Sequence, residues 1–227
     1  MIRVHKFQRG DVSADTMRRL RGIAPATFGH IIEDGFADGA LRPLSGLSTV
    51  RVLGRALTVR CRGGDGAAVH LAIDWAEEGD VLVIDRGGDV SRACWGEMTT
   101  RAAMERGVVA TVVDGAVTDV AEIFELHYPV WARGVTALTT VSRGEGGEIG
   151  GAVEVGGVRV RSGDLVLADE NGVLFLSPAR MEGVLDVAEA RELREEQVRK
   201  DISGGHSLAE ISGAAKAEIE MLEAEEE

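Results

Sequence analysis

The chain has 227 residues, of which 44% are hydrophobic and only 4% aromatic, with 30 glycines. A formal charge of −13 with scattered Lys and Arg argues against nucleic acid as a partner, and no apolar run approaches the ~20 residues of a membrane span. The opening MIRVHKFQRGD lacks the apolar segment of a secretion signal. The two cysteines, Cys61 and Cys94, are too few for a disulfide framework, so the expectation is a soluble cytoplasmic α/β protein with a core of Val, Leu, Ile and Ala.

In chain order, SADTMRRLR (13–21) reads as a short helix capped by Ser or Asp, and TFGHIIEDGFADG as a second one ended by glycine. RALTVRC predicts a strand near 56–61, followed by a Gly-rich turn and a helix over roughly 66–77. VLVID (81–85) is an apolar strand, and RGGD after it reads as a second Gly-rich turn. EMTTRAAMERG (97–107) has helical periodicity, VVATVV is the next buried strand and DVAEIFELH the next helix. This alternation predicts βαβ units and a parallel sheet.

Beyond residue 130 the pattern changes to short strands: VTALTTVS, AVEVGGVRV, DLVLAD and GVLFLS, with Gly156-Gly157 as a hairpin turn. A helix over about 178–202, a GGHS break and a final helix complete the chain, and AEIEMLEAEEE reads as a solvated helix end. With no linker of boundary quality and no repeat, the expectation is one α/β/β domain over 1–227, its core at about 25–177 and its C-terminal helices at about 178–226.

Two stretches carry chemistry. In GGDVSRACWGEMTT, Trp95-Gly96 leads into a helix whose first-turn amides, at Met98 and Thr99, suit a small anion; a plain glycine turn with Glu97 well placed against the helix dipole accounts for the same residues. In VVATVVDGAVTDVAEI a strand ends at Asp114-Gly115 and a helix starts near Asp119, at the carboxyl end where α/β folds bind ligands. Asp119 could hold a hard divalent cation, with Asp114 or Glu122 in support. Equally, Asp119-x-x-Glu122 has the form of a capping box, or Thr118 is the N-cap. His30, His70, His127 and His206 are dispersed without zinc spacing. Ser45, Ser48, Ser91 and Ser142 lack a nucleophile elbow, and RCRGGDG is neither a P-loop nor a dinucleotide fingerprint.

The blocks GRALTV, GDVLVID, ACWGEMTTRAAMERGV, VVDGAVTDVAEI, YPVWARG and GDLVLADENGVLFL occur in this order. Over roughly residues 25–210 the chain resembles the RraA-like superfamily, which holds class II, divalent-metal-dependent 4-hydroxy-4-methyl-2-oxoglutarate aldolases and the regulators of ribonuclease E activity. The resemblance implies an α/β/β fold related to swivelling phosphohistidine domains, a homotrimer or hexamer, and a site between subunits. It implies Mg²⁺ or Mn²⁺ bound directly by Asp119, with Glu97 and Glu122 acting through water. The loop at Gly96 and the amides of Met98 and Thr99 would hold the carboxylate of a small 2-oxo acid, and Glu195 or Glu196 of a neighbouring subunit would reach the metal waters. The implied reaction is C–C cleavage, as retro-aldol release of pyruvate or decarboxylation of oxaloacetate, through a metal-stabilised enolate. The family pattern is an acid, then after twenty residues Arg-Asp; here Glu97 is followed at that distance by Thr118 and Asp119. Threonine cannot neutralise an enolate, a loss worth ~3 kcal/mol of barrier. Either Arg86, Arg92 or Arg101 compensates, the substrate has shifted, or the chain is a non-catalytic protein-binding regulator. His30 stands where many relatives carry an acid and has no assigned use.

Overall fold

The computed structural model describes residues 1–44 and 51–219. The chain forms β1 (Ile2–Val4), α1 (Ala14–Leu20), α2 (Pro25–Phe28), β2 (Arg42–Pro43), β3 (Val52–Arg60), α3 (Ala67–Trp75), β4 (Asp80–Ala93), α4 (Glu97–Glu105), β5 (Ala110–Val117), α5 (Val120–Glu125) and β6 (Val130–Val135). There follow β7 (Gly147–Ile149), β8 (Val153–Val155), β9 (Val158–Val160), β10 (Leu165–Asp169), β11 (Gly172–Leu176), α6 (Pro178–Ser203) and α7 (Leu208–Ser212). Ser45, Ser48 and residues 220–227, which carry the far end of the predicted final helix and its acidic tail, lie outside the described residues.

The centre is the parallel set β3–β4–β5–β6, as the alternation predicts. β3 shares one edge between two antiparallel partners, its first half pairing with β10 and its last residues, Val59 and Arg60, with β7. The inward residues of one sheet face, Leu57, Val59, Leu82, Ile84, Val113 and Val117, pack on α3, α4 and α5. The other face, through Ala56, Val81, Val83, Ala110, Val112 and Trp131, packs on the β8–β9 hairpin and on β10–β11. A helical layer, a sheet and a second β layer make this an α/β/β fold. Period-two alternation also buries β10–β11 on both sides, since Leu165, Leu167, Leu174 and Leu176 face a third cluster built from α1, α2 and α6.

Several elements agree with the sequence reading in physical detail. Ser13 caps α1, its side chain accepting from the Thr16 amide. The Gly156-Gly157 turn has φ of 57° and 76°, the left-handed pair that a two-residue hairpin requires. Three expectations are corrected. TFGHIIEDGFADG is helical only as the end of the four-residue α2; from Gly35 the chain turns extended against β11, with the Phe175 amide bonded to Gly35 O at 2.8 Å. A side chain at Gly35 would meet Phe175 O at 2.6 Å, so this close approach ends any helix. RGGD is no strand-ending turn. β4 runs on to Ala93 with register shifts on either side of Asp89, and Gly87 and Gly88, at φ 68° and 77°, let it bulge. VTALTTVS yields a strand only in its first residue, Val135; the rest touches the sheet through isolated bridges at Thr139 and Val141, and Leu138 and Val141 remain exposed. The continuous strand is β6, immediately upstream. β1 is an element the sequence reading missed, a three-residue strand lying parallel on β7.

Asp65 fastens the loop that returns from β6 to β7. Its buried carboxylate accepts from the amides of Ala67 (3.0 Å), Arg143 (3.0 Å), Glu145 (2.5 Å) and Gly146 (3.3 Å). These amides, that of Ala67 foremost, hold its pKa well below the usual carboxylate range, against the opposing effect of burial. A depressed folded pKa contributes stability above the unfolded value of about 3.9 and loses it as pH falls toward the folded value. Asp65→Ala should therefore lower the unfolding free energy by about 2 kcal/mol at neutral pH, and the gap between variant and parent in denaturant titrations should close below roughly pH 4.

Candidate active site at the carboxyl ends of strands β4 and β5

β4 and β5 end side by side, and each hands the chain to a short helix. At the end of β4, Trp95 is buried, donates its indole N–H to Thr100 Oγ1 at 2.9 Å and stacks on Tyr128 at 6.2 Å between ring centroids. Its carbonyl accepts from the Thr118 amide at 2.9 Å, so the same residue ties the two segments together. Gly96 then starts α4 in extended backbone, its amide donating to Thr99 Oγ1 at 2.9 Å.

Across from it stands Asp119, in the left-handed conformation at φ 53° and ψ 43°. Its side chain does not cap α5, which it precedes. Instead Oδ2 accepts from the Glu97 amide at 2.9 Å, and Oδ1 accepts from Thr118 Oγ1 at 3.2 Å. The capping-box reading is thereby overturned: Glu122 is exposed and does not reach back, and Thr118 serves Asp119 rather than the helix. The carboxylate of one helix start satisfies the first amide of another, a charge-favoured arrangement at the positive end of α4. Gly96 makes it possible. A Cβ there would lie 2.4 Å from Asp119 Oδ2 and 2.8 Å from Thr118 Cγ2.

Glu97 is half-buried, and its Oε1 accepts from Arg101 Nε at 2.8 Å, one turn along α4. Beyond Glu97, the amides of Met98 and Thr99 have no acceptor among the described residues. Met98 and Thr99 also line a cavity of about 310 Å³ between α3 and α4, together with His70, Ile73, Asp74 and Ala102. His70 Nδ1 is within 2.9 Å of Ser142 Oγ there. A larger cavity of about 660 Å³, between Arg159, Arg161 and the start of α6, holds none of the predicted site residues.

The remaining sequence candidates are placed elsewhere. Asp114 faces the opposite side of the sheet and pairs with Arg133, which also binds Asp38 at 2.7 Å. Arg86 is fully buried, its guanidinium committed to Gly63 O and Asp89, both at 2.8 Å. Arg92 is tied to Thr139 O at 3.1 Å. Of the arginines considered as replacements for the family cation, Arg101 is the one joined to Glu97. Glu195 lies on α6 beside Arg191 (3.3 Å) and His30 (3.8 Å), and Glu196 pairs with Lys200 at 2.9 Å. Within one chain neither glutamate is joined to Asp119.

Among the described residues no three His, Cys, Asp or Glu groups converge as a metal cluster. The donor chemistry at Asp119 fits a hard cation held by one exposed carboxylate and otherwise by water, the manner in which Mg²⁺ is commonly bound. It does not fit a closed zinc-type site. Trp95 and Thr100 are the residues that sequence reasoning passed over as functional supports. A Trp-Gly pair before a helix start was the available signal.

An α/β/β sheet whose helix starts meet over such an acid defines the architecture, and comparison with known proteins names its family. Residues 26–175 match the RraA-like (Aldolase/RraA) family model, and the chain belongs to that family. A Halalkalibacterium halodurans protein named as a candidate 4-hydroxy-4-methyl-2-oxoglutarate aldolase is 36% identical over 153 residues, 67% of this chain and 72% of its own. Among solved structures, an uncharacterized protein from Pseudomonas syringae shares the fold at TM-score 0.77 and 20% identity, covering 92% of this chain and 98% of that one. Streptomyces coelicolor RraAS2, described as an unusual member of the RNase ES inhibitor RraA family, aligns at TM-score 0.74 and 25% identity over 84% of this chain and 99% of its own.

The contact geometry separates two variants. Gly96→Ala should cost about 1–3 kcal/mol, because its Cβ displaces the Asp119 carboxylate. Asp119→Gly loses both hydrogen bonds of the carboxylate, together worth about 2 kcal/mol, and regains about 1 kcal/mol from the left-handed backbone, so its unfolding free energy should fall by only about 1 kcal/mol.

Proposed function

We propose that the chain is a lyase that cleaves a C–C bond of a small 2-oxo acid, releasing pyruvate by retro-aldol cleavage or decarboxylating oxaloacetate. The observation that carries this reading is the exposed Asp119 carboxylate, held in left-handed backbone against the first amide of α4, with the free amides of Met98 and Thr99 alongside. The aldolase name of the 36%-identical relative supports it.

In this reading Asp119 would hold Mg²⁺ or Mn²⁺, with Glu97 and Glu122 in support through water. The ion would supply Lewis-acid polarisation of the 2-oxo group. The chain's own residues do the rest. The Met98 and Thr99 amides, at the positive end of α4, bind the carboxylate next to the carbonyl. Glu97, oriented by Arg101, positions the water that protonates the pyruvate enolate once the C–C bond has broken. Arg101, paired with Glu97, brings the cation that Thr118 cannot. We place the active form in the cytoplasm as a homotrimer or hexamer, with Glu195 or Glu196 of one copy reaching toward a neighbour's site.

The deciding experiment is pyruvate release from oxaloacetate with Mg²⁺ or Mn²⁺. The expected result is a rate above the ion's own background, abolished by chelation and by Asp119→Ala; activity that survives both would sink the proposal. Thr118→Arg should raise the rate by roughly tenfold or more, since it restores a charge at the developing enolate. The resemblance to RraAS2 supports a second reading, a protein-binding regulator. That reading predicts no excess rate, and no thermal stabilisation by Mg²⁺ with oxalate.

A further inference from the structure

We infer that the cavity between α3 and α4 receives the part of the substrate beyond the bond that breaks. It selects a 4-hydroxy-2-oxo acid with a neutral alkyl tail, whose C4 oxygen is hydrogen-bonded to His70. The inference rests on the lyase reading above and carries it to a substrate class.

Position comes first. The Glu97 amide holds Asp119, and the next two residues of the same helical turn, Met98 and Thr99, line the cavity. At about 1.5 Å of rise per residue, the cavity opens within one turn of that contact. A 2-oxo acid seated on the Met98 and Thr99 amides has this space beside it for its remaining carbons. The cavity, about 310 Å³, is roughly ten times the ~30 Å³ share of a water molecule, which leaves room for several carbons.

The lining sets the chemistry. Ile73, Met98 and Ala102 supply apolar walls, and no Lys or Arg is among the lining residues. Asp74 is already paired with Arg106 at 3.1 Å, and Thr99 Oγ1 is spent on the amide and carbonyl of Gly96, both at 2.9 Å. A carboxylate on the tail would face Asp74 with no lining cation to meet it, which is costly. An alkyl chain gains with each carbon removed from water. Met98, 66% exposed and flexible, is the side chain that can fold over it.

His70 is the polar group left over. Its Nδ1 lies 2.9 Å from Ser142 Oγ, and its second ring nitrogen has no partner among the described residues. Both neighbours of this pair are fastened to one acid. Asp65 holds the start of α3 through the Ala67 amide and the segment after Ser142 through the Arg143 amide, each at 3.0 Å. The Gly66 amide adds a bond to Val141 O at 2.9 Å. With Nδ1 engaged, Nε2 remains to bond the C4 hydroxyl.

The cleavage balances without a further reactant. The C3–C4 bond breaks and its electron pair stays on C3 as the pyruvate enolate. The C4 hydroxyl passes its proton to water and becomes an aldehyde carbonyl, while C3 takes a proton from water. One 4-hydroxy-2-oxo acid thus gives one pyruvate and one aldehyde.

The test follows pyruvate release, with Mg²⁺ present, from 4-hydroxy-2-oxohexanoate, with its ethyl tail, and from 4-hydroxy-2-oxoglutarate, with its carboxylate tail. The hexanoate should have a kcat/KM at least roughly tenfold higher. His70→Ala should slow hexanoate cleavage roughly tenfold more than it slows deuterium uptake by the methyl group of pyruvate, which forms the same enolate without a tail. His70→Gln, which keeps a hydrogen-bonding group at the end of the side chain, should recover most of the loss. Equal cleavage of the two hydroxy acids, or an equal loss of cleavage and exchange in His70→Ala, would overturn the inference and leave the lyase reading standing. So would failure to cleave either hydroxy acid beside intact oxaloacetate decarboxylation. Silence toward all three acids would remove the lyase reading and this inference together. His70 is exposed, so its replacement spares the core, and the comparison of the two hydroxy acids needs only the parent protein.

Discussion

The structure around the candidate site depends on one close approach, the carboxylate of Asp119 lying against the backbone of Gly96. Two helices start from adjacent parallel strands, and each start leaves amides without partners. Here one of those amides, that of Glu97, is satisfied from across the gap rather than from its own helix. The geometry allows no side chain at position 96 and requires an acid that tolerates left-handed backbone at 119. Trp95 holds both segments in place from below, through its carbonyl to Thr118 and its ring to Thr100 and Tyr128.

That approach also organises the charges. Asp119 faces outward from a well-hydrogen-bonded base, while the neighbouring acid, Glu97, is held by Arg101. The other strand-end acids, Asp85 and Asp114, are turned to the opposite side or locked beneath arginines. Of the strand-end acids, Asp119 thus keeps a carboxylate open to a ligand in a chain whose net charge is strongly negative. Any anion approaching the chain would meet an unfavourable field across most of the molecule, which makes the local positive end of α4 and the Arg101 guanidinium the more consequential.

Much of the fold was legible because burial imposes simple periods. The parallel strands β4 and β5 announce themselves as apolar runs, and the β8–β9 turn as a glycine pair, since few other residues accept its dihedrals. Misreadings arose where a tertiary contact overrode local pattern. The stretch after Phe28 has helical composition, but Gly35 lies flat against Phe175 and draws the chain into extended form. Residues 136–142 alternate as a strand would, yet no sheet face covers them. The family resemblance singled out Glu97 and Asp119, which the fold joins through the Glu97 amide, while the reading from spacing misjudged their bonding, because a capping box and a cross-helix contact use the same residue types. Nothing local to Asp119 could reveal that its partner lies on the preceding helix. Arg101 was one of three arginines the sequence could not rank, and only the fold showed Arg86 to be entombed.

The bulge of β4 has a bearing on how such a chain can change over time. Between Asp85 and Ala93 the strand advances eight residues while β5 advances two, from Asp114 to Ala116. The surplus hangs outside the ladder, and Val90 and Ser91 at its tip are exposed. Adding or deleting a residue at that tip would shift no strand pairing and no helix start. The rim beside Asp85 can therefore change in length in this chain without moving the Glu97 and Asp119 helix starts.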